Sequence, residues 1–455
     1  MEPNIINSKF NNTSLLSRIS NIIKDVLDYL IVFIIAVTTG CGWVYDYNLD
    51  LTNADLYTYL QNMLIVCVIV RLVSFDKLNS SKKYIGRAIV AILIIVTYSF
   101  YNTVRVENFN KGQLYIFLWM LLWILLHDDK RTIWNKYVNV VVFLAVMSLF
   151  FYVFGSILNI IPEYNSAKRI WGEWKPDIIR NFYYFYYESH YVRIGSTILW
   201  RNVGCFAEGP MFNFALCSAF GAEMFIVHNE RTGNRKIDSH TLKRTVLIVA
   251  ILSTLSTTGL IFLCVVGAIC TIRNADRFRV TRFLKRHLKL FVTIVFALLV
   301  VAVLSKLLSS NGRGSLNVRT DHLFASLEAF LRKPIMGCGW DNSKYIYKFM
   351  EHKQGLSVGL PSFLAYGGLL LSSIIFIPIM QDICELEAEK KNHSVRSEEK
   401  NNNNIVSFLT HQNKVIFELL FLLIFFFTMV NAYPIVWFFI AYITVDDSAE
   451  KVNID

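Results

Sequence analysis

The amino-acid sequence predicts an all-α protein that crosses a lipid bilayer many times. Of its 455 residues, 54% are hydrophobic and 17% are charged, whereas a soluble domain has about 45–50% apolar and about 25% charged residues. The excess is concentrated in separate blocks of about 15–22 apolar residues, the length that a helix needs to cross a bilayer. These observations exclude a soluble enzyme, a nucleic-acid-binding domain and a disordered chain.

The first apolar block begins near Leu27 and lacks a small-residue cleavage site, so we expect an uncleaved span and not a signal peptide. The block at 245–272 has basic clusters on both flanks, which predicts a break at 256–259 and two short spans. About twelve spans result, with both termini cytoplasmic. The remaining blocks lie at about 56–75, 85–103, 112–126, 137–158, 208–228, 288–307, 359–380, 414–431 and 433–446.

The orientation follows from the basic residues of the connecting loops, because cytoplasmic loops carry more lysine and arginine. The short loops assigned outside, 46–55 and 104–111, carry only Arg105 and Lys111. The loops assigned inside are rich in both residue types; they are 76–84, 127–136, 229–244, 273–289 and 381–413.

Two long loops at 159–205 and 308–358 break this pattern, because they face outward in the predicted topology and are still basic. Long loops escape the sorting rule, so one interpretation is a tolerated bias. The other is an anionic ligand at the outer surface, for which arginine suits a phosphate or diphosphate. In the first loop, the aromatic run at 181–191 predicts either a belt at the headgroup level or a stacking floor for sugar rings or a lipid chain.

Residues 201–210 read RNVGCFAEGP and immediately precede the predicted span at 208–228. Pro210 fits the first turn of a helix, which places Glu208 at the mouth of that helix beside Arg201. Glu208 then either complements the helix dipole or forms a reaction centre with the guanidinium.

The second loop contains RTDH at 319–322, a helical stretch, and PIMGCGW at 334–340. Gly337 and Gly339 permit a tight turn close to a partner or ligand. The eight cysteines form no C-x-x-C pair, and we interpret them as small core residues.

Three of these motifs occur in the same order in one group of proteins: R-x-x-G-x-F-x-E at 201–208, STTG at 256–259, and Arg319 followed by P-I-x-G-x-G-W at 334–340. Over about 200–370, the chain resembles the bacterial O-antigen and capsular polysaccharide repeat-unit polymerases of the Wzy type, relatives of the O-antigen ligases. The ligase relatives often carry a histidine about eleven residues before a glycine of the next span. Here 355–367 contains none.

The resemblance implies a GT-C-like membrane glycosyltransferase of the bacterial inner membrane. Its donor would be a glycan on polyprenyl diphosphate and its acceptor a second lipid-linked repeat unit. The implied partners are these lipids, the bilayer and a chain-length regulator, with no nucleic acid, no cofactor and no metal. Arg201 and Arg319 would stabilise the departing diphosphate, and Glu208 would act as base or orient the sugar. Further candidates for binding diphosphate or glycan are Arg193, Arg313, Thr257, Thr258, His322 and His352.

Three rival functions remain open at this stage: a polysaccharide ligase, a secondary transporter and a lipid-linked glycan flippase. Transporters carry ionisable groups near the bilayer midplane. We expect Asp28, Arg71 and Arg87 to lie instead at inner span ends and to snorkel towards water.

Overall fold

The computed structural model describes residues 6–45, 53–73, 82–105, 113–169, 177–194, 197–227, 239–274, 310–353, 355–395 and 402–445. The predicted span at 288–307 lies outside these residues. The helices are α1 (Ile6–Thr38), α2 (Gly42–Tyr45), α3 (Asn53–Val73), α4 (Lys82–Arg105), α5 (Gln113–Phe151), α6 (Gly209–Ala222), α7 (Ser239–Ser253), α8 (Thr257–Asn274), α9 (Ser310–Arg332), α10 (Ser343–Ile346), α11 (Leu360–Val395), α12 (Asn402–Phe426) and α13 (Pro434–Ile443). Short π-helical segments, Tyr152–Ile157 and Glu223–Val227, continue α5 and α6.

Six described helices are long and apolar enough to cross a bilayer. The predicted all-α membrane protein is therefore confirmed at the level of fold class. Three shorter apolar helical stretches accompany the six, at Phe117–His127, Thr257–Arg273 and Pro434–Ile443; the first belongs to α5, as does most of the window at Lys130–Ile157. The six windows are Leu56–Val73, Ile85–Val104, Lys130–Ile157, Gly209–Val227, Leu360–Lys391 and Phe408–Phe426.

One predicted loop is wrong. The blocks at 112–126 and 137–158 were expected to be separate spans joined through 127–136, but α5 runs through all 39 residues from Gln113 to Phe151. The segment 127–136 between the blocks contains neither glycine nor proline, so no residue in it stops a helix.

The helix bundle has two chemically different ends. At one end, which we call the loop end, Cys41 pairs with Phe206, Asn202 with Ser253, and the amide of Trp340 with Asn102. At the other, which we call the ionic end, the bundle is joined by salt bridges. Residues next to the loops predicted as outer therefore meet at the loop end, and residues next to the loops predicted as inner meet at the ionic end.

The snorkelling prediction at the ionic end is wrong. Arg71 Nε lies 2.9 Å from Asp28 Oδ1, and both side chains are buried. Lys136 Nζ reaches the other Asp28 oxygen at 2.8 Å. Arg87 binds Asp382 at 3.0 Å, within a second buried network. These charges are neutralised inside the protein because a partner lies on a neighbouring helix, which is how membrane proteins accommodate ionisable side chains.

The segment before α6 forms two small antiparallel sheets, which the sequence analysis did not predict. The first contains β1 (Asn165–Arg169), β2 (Asp177–Phe182) and β3 (Tyr186–Glu188), and the second β4 (Tyr191–Ile194) and β5 (Thr197–Trp200). The aromatic run turns at Tyr183 and Tyr184, which both have positive φ. Within the run, the rings of Phe182, Tyr186 and Tyr187 are buried in the protein, whereas Tyr183 at the hairpin tip and Tyr191 at the end of the run are exposed and remain for a belt or a stacking floor.

Helix α11 contains a break that another segment fills. Gly368 has φ +60 and ψ −166, outside helical geometry. Residues 334–339 lie against this break and form four backbone hydrogen bonds to it: Leu369 N to Pro334 O (2.7 Å), Leu370 N to Ile335 O (3.0 Å), Cys338 N to Ala365 O (2.8 Å) and Gly339 N to Tyr366 O (3.1 Å). The backbone groups freed by the break thus find partners within the protein, as irregular backbone at membrane depth requires.

Candidate functional site

Three parts of the chain converge at the loop end: the segment 201–208, the turn between α7 and α8, and helix α9. The predicted break near 256–259 exists, but it lies two residues earlier, since α7 ends at Ser253 and α8 begins at Thr257. Leu255 has φ +50 in the turn. The break therefore leaves the last carbonyl groups of α7 without helical partners.

Arg201 and Asn202 supply those partners. Arg201 Nε donates to Thr254 O at 2.8 Å, and the backbone amide of Asn202 donates to Ser253 O at 3.0 Å. Asn202 Nδ2 also donates to Ser253 Oγ at 3.0 Å. A basic side chain at the end of α7 is favourable because this end of a helix is negative. The Nε edge of the guanidinium is thus held at the turn between α7 and α8.

The guanidinium of Arg201 also lies against the beginning of α6. A Cβ atom added at Gly209 would come within 3.0 Å of Arg201 Nη2, so only glycine leaves room for this side chain in its present position. Pro210 lies in the first turn, as predicted, and Glu208 is the N-cap residue. The carboxylate of Glu208 forms no capping hydrogen bond, so hydrogen bonding to the helix end does not fix its position.

Arg201, Glu208 and Arg319 are electrostatically coupled. The pKa of Arg201 is lowered to about 10, chiefly by burial and also by the positive charge of Arg319, while Glu208 opposes the shift. Burial likewise lowers the pKa of Arg319, and Glu208 again opposes the shift. The structure therefore brings together the three residues that were predicted to be catalytic. Two guanidinium groups with one carboxylate leave a net charge of +1 on this triad.

The beginnings of two long helices add to this positive potential. Arg201 touches Gly209 in the first turn of α6, and it binds the carbonyl of Thr254 three residues before α8 begins. A helix N-terminus carries partial positive charge and attracts anions. Burying like charges near each other costs free energy unless an anion compensates them. An anion bound here would compensate the two guanidinium charges, and strongly perturbed pKa values are common at functional sites.

Helix α9 holds Arg319 through the residues that follow it. Asp321 accepts hydrogen bonds from the backbone amides of Glu351 (3.1 Å) and His352 (2.8 Å). His322 is buried; its Nε2 lies 3.1 Å from His352 O, and its Nδ1 accepts from the amide of Ser357 at 3.1 Å. Burial lowers the pKa of His322, which agrees with a neutral ring. Both ring nitrogens of His322 are thus occupied in tying the 351–357 segment to α9.

The other predicted binding residues are placed less closely. The half-buried Thr257 begins α8, and Thr258 is buried behind it. His352 Nδ1 lies 3.4 Å from Asp321 Oδ2, and its side chain is 43% exposed. The side chains of Arg193 and Arg313 lie outside the described part of the structure, so these two assignments stay predictions.

Gly337 and Gly339 make the predicted close approach, but their partner is α11. A Cβ atom at Gly337 would lie 2.2 Å from Tyr366 O. Trp340 is buried beside them, with its ring centre 5.5 Å from that of Trp437. The G-x-G-W element therefore anchors the segment after α9 to the bundle, and through it the position of Arg319.

Among the described residues, one group has a spacing that could hold a metal ion: Asp382, Glu385 and His411. This group lies at the ionic end, away from Arg201 and Arg319. Arg87 and Lys414 already bind Asp382 at 3.0 and 2.9 Å, so a dication there would compete with two resident cations.

Fold and site together define a helical membrane protein with a buried, positively charged centre at one end of its bundle. In comparisons with known proteins, the chain matches no protein-family model and no curated protein. The site residues that sequence analysis missed are Asn202, Gly209, Thr254, Asp321 and Ser357. Asn202 and Gly209 lie inside the 201–210 motif and Asp321 inside RTDH, so the motifs contained a signal for them.

Proposed function

We propose that this protein is a membrane glycosyltransferase that polymerises polyprenyl-diphosphate-linked oligosaccharide repeat units, at the outer face of a bacterial inner membrane. The observation that supports this proposal is the convergence of Arg201, Arg319 and Glu208 in a site with net positive charge. A departing diphosphate is the anion that such a site would stabilise.

The chemistry follows from the charges. When the bond between the donor sugar and its diphosphate breaks, negative charge grows on the leaving oxygen. Arginines already held in place lower the barrier because they need not reorganise during the reaction. Arg201 meets this condition through its bond to Thr254 O, and Arg319 through the contacts that hold α9. A metal ion is not required by this scheme, since the two guanidinium groups supply the charge.

Glu208 has two roles in the proposal. In the resting site it balances one of the two positive charges. In the reaction it takes up the proton of the acceptor hydroxyl as that oxygen bonds to the anomeric carbon and the bond from this carbon to the diphosphate breaks. Glu208 lies at the mouth of α6, where it is the N-cap residue, beside the two arginines whose pKa values it influences.

The proposal places the loop end outside the cell, both termini in the cytoplasm and about twelve spans of a GT-C-like arrangement in the whole chain. Labelling with a membrane-impermeant maleimide tests it. A cysteine introduced at Asn110 should react in intact cells, and one at Thr232 should react only after lysis, each measured against the unsubstituted chain. The reverse pattern would place the arginine site in the cytosol and remove the proposal.

The functional test is the surface-glycan ladder of cells that carry only a variant gene. Arg201→Ala and Arg319→Ala should each lower polymerisation about a hundredfold to a thousandfold, leaving single repeat units at the surface. Glu208→Ala should give the same collapse. Lys344→Ala is the matched control, because Lys344 is an exposed cation on the same side of the bundle, and its ladder should be normal.

The rival functions give different patterns. A ligase variant would leave full-length polymer on the lipid carrier, and a flippase variant would leave repeat units inside the cell. A transporter would leave the ladder unchanged. A normal ladder in both the Arg201 and Arg319 variants would disprove the proposed mechanism.

A further inference from the structure

A second group of cations lies at the far end of α9, apart from the arginine site. Lys333 Nζ lies 4.8 Å from the ring centre of Tyr345, and Lys348 Nζ lies 5.4 Å from the centre of the same ring. The guanidinium of Arg332 lies 4.8 Å from the ring centre of Phe349. The two rings are themselves in edge contact at 5.5 Å. Three cations are therefore gathered around one aromatic pair, which we call the cation–aromatic cluster.

Most of the positive charge of this cluster is not neutralised by neighbouring carboxylates. Arg332 forms an i,i+4 salt bridge to Glu328 at 2.8 Å, with both side chains about half exposed, and such exposed pairs are worth little. Lys333 and Lys348 are exposed, and the salt bridges described in this segment, Arg332–Glu328 and His352–Asp321, involve neither lysine. Three cations against one carboxylate leave a net charge of +2. A diphosphate that joins two organic groups carries two negative charges, so its charge matches that of the cluster.

A stripe of apolar side chains runs beside the cluster. Phe324 and Leu331 are seven residues apart on α9, which places them on the same face of the helix, and they are 64% and 68% exposed. Ile335, three residues after the end of α9, is also 66% exposed. Large apolar side chains next to lysine and arginine are typical of a surface that lies at the boundary between headgroups and acyl chains. A lipid whose chain lies along this stripe would have its headgroup at the cations.

The spacing between the two cationic sites is set by α9. Arg319 and Arg332 are separated by thirteen residues of one helix, which corresponds to about 20 Å at 1.5 Å per residue. The arginine site would hold the diphosphate of the donor. A polymerase also needs an acceptor, whose non-reducing sugar must reach the donor while its own diphosphate stays at the membrane surface. A short oligosaccharide can span the distance between the two sites.

We propose that Arg332, Lys333 and Lys348 form the binding site for the diphosphate of the acceptor's polyprenyl carrier. This inference rests on the proposed function, because it assigns the second lipid substrate of the same reaction. The cluster is the acceptor's anchor, α9 sets the separation of the two carriers, and the apolar stripe accommodates the beginning of the acceptor's isoprenoid chain.

The test is the stoichiometry of binding in nanodiscs of neutral phosphatidylcholine, with radiolabelled undecaprenyl diphosphate as the probe. The wild-type chain should bind two equivalents. The triple variant Arg332→Gln, Lys333→Gln and Lys348→Gln should bind one, and adding Arg319→Gln should remove the other. The matched control is Lys344→Gln with Lys353→Gln, which removes two exposed lysines of the same segment and should keep both equivalents.

Two results would overturn the inference. One is retention of both equivalents by the triple variant. The other is loss of the second equivalent when phosphatidylglycerol replaces a fifth of the phosphatidylcholine, because that would show a general site for anionic phospholipids. A conservative variant, Arg332→Lys with Lys333→Arg, guards against misfolding and should bind like the wild type. If instead Arg201→Gln and Arg319→Gln bind two equivalents while the triple variant binds one, the donor site fails and the acceptor site stands.

Discussion

Replacing Gly337 by alanine should destabilise the protein strongly. The added Cβ atom would lie 2.2 Å from Tyr366 O and 2.6 Å from Gly368 N, and both are backbone atoms that cannot rotate away. The 334–339 segment must therefore move off α11, which breaks the hydrogen bonds Cys338 N to Ala365 O and Gly339 N to Tyr366 O. Each buried group left unpaired costs about 1–3 kcal/mol. The positive φ of +69 at Gly337 adds about 1–2 kcal/mol for any residue with a Cβ atom.

The expected loss is about 3–8 kcal/mol, a large part of a typical stability of about 5–15 kcal/mol. Gly355→Ala is the matched control, since Gly355 also has positive φ (+93) but a Cβ atom there would meet nothing within 4 Å. It should cost only about 1–2 kcal/mol of backbone strain. The measurement is thermal unfolding of both variants in detergent, followed by size-exclusion of the folded fraction. Equal melting temperatures for the two variants would refute the argument that the G-x-G element is packed against the α11 break.

Three further outcomes are expected. Arg319→Met should leave the melting temperature unchanged or raised, because it removes a buried like charge. In a chain that already carries Arg332→Gln, Lys333→Gln and Lys348→Gln, Arg319→Met should abolish the stabilisation by inorganic diphosphate, about 2.7 kcal/mol at a hundred times its dissociation constant; stabilisation that persists in this variant would count against an anion site at Arg319. Burial lowers the pKa of His322 from its usual 6.5, so on acidification the unfolded chain binds a proton before the folded protein does. The stability should therefore fall as the pH drops from about 6.5 through the lower pKa of the folded state. His322→Asn should flatten this part of the plot of melting temperature against pH, and an unaltered slope would contradict a buried, neutral His322. Gly259→Ala should lower the melting temperature, since its Cβ atom would lie 2.2 Å from the buried Asn213 Oδ1. Gly267→Ala on the same helix meets nothing within 4 Å and should be neutral or stabilising by up to about 1 kcal/mol. Equal effects of the two substitutions would show that Gly259 of α8 does not lie against Asn213 of α6.

The sequence predicted the features that depend on local composition. Runs of apolar residues identify the helices, because their length is dictated by the bilayer. The basic flanks of 245–272 revealed that the chain turns back near Ser256, and the structure places the turn at 254–256. Pro210 correctly marked the beginning of α6. In each case the physical cause acts within a few residues, so the sequence alone contains it.

The features that depend on distant partners were not predicted. Asp28 and Arg71 are separated by 43 residues, and each alone resembles a charge at the end of a span. The partner of Gly337 is a helix break that begins about thirty residues later. The hairpin around Tyr183 could not be predicted, because aromatic residues are common both in a protein core and at a membrane surface. The sequence therefore does not show which of these rings are buried. The contact between Arg201 and Thr254 O also joins separate segments.

The break in α11 has a consequence for biosynthesis. A ribosome makes residues 334–339 before it makes 360–370, so the strip that completes the break emerges first. Until that strip is in place, the open amides of Leu369 and Leu370 would face hydrocarbon, which is prohibitive. Helix α11 therefore cannot be inserted into the membrane by itself: it must leave the translocon together with the hydrophilic segment that precedes it.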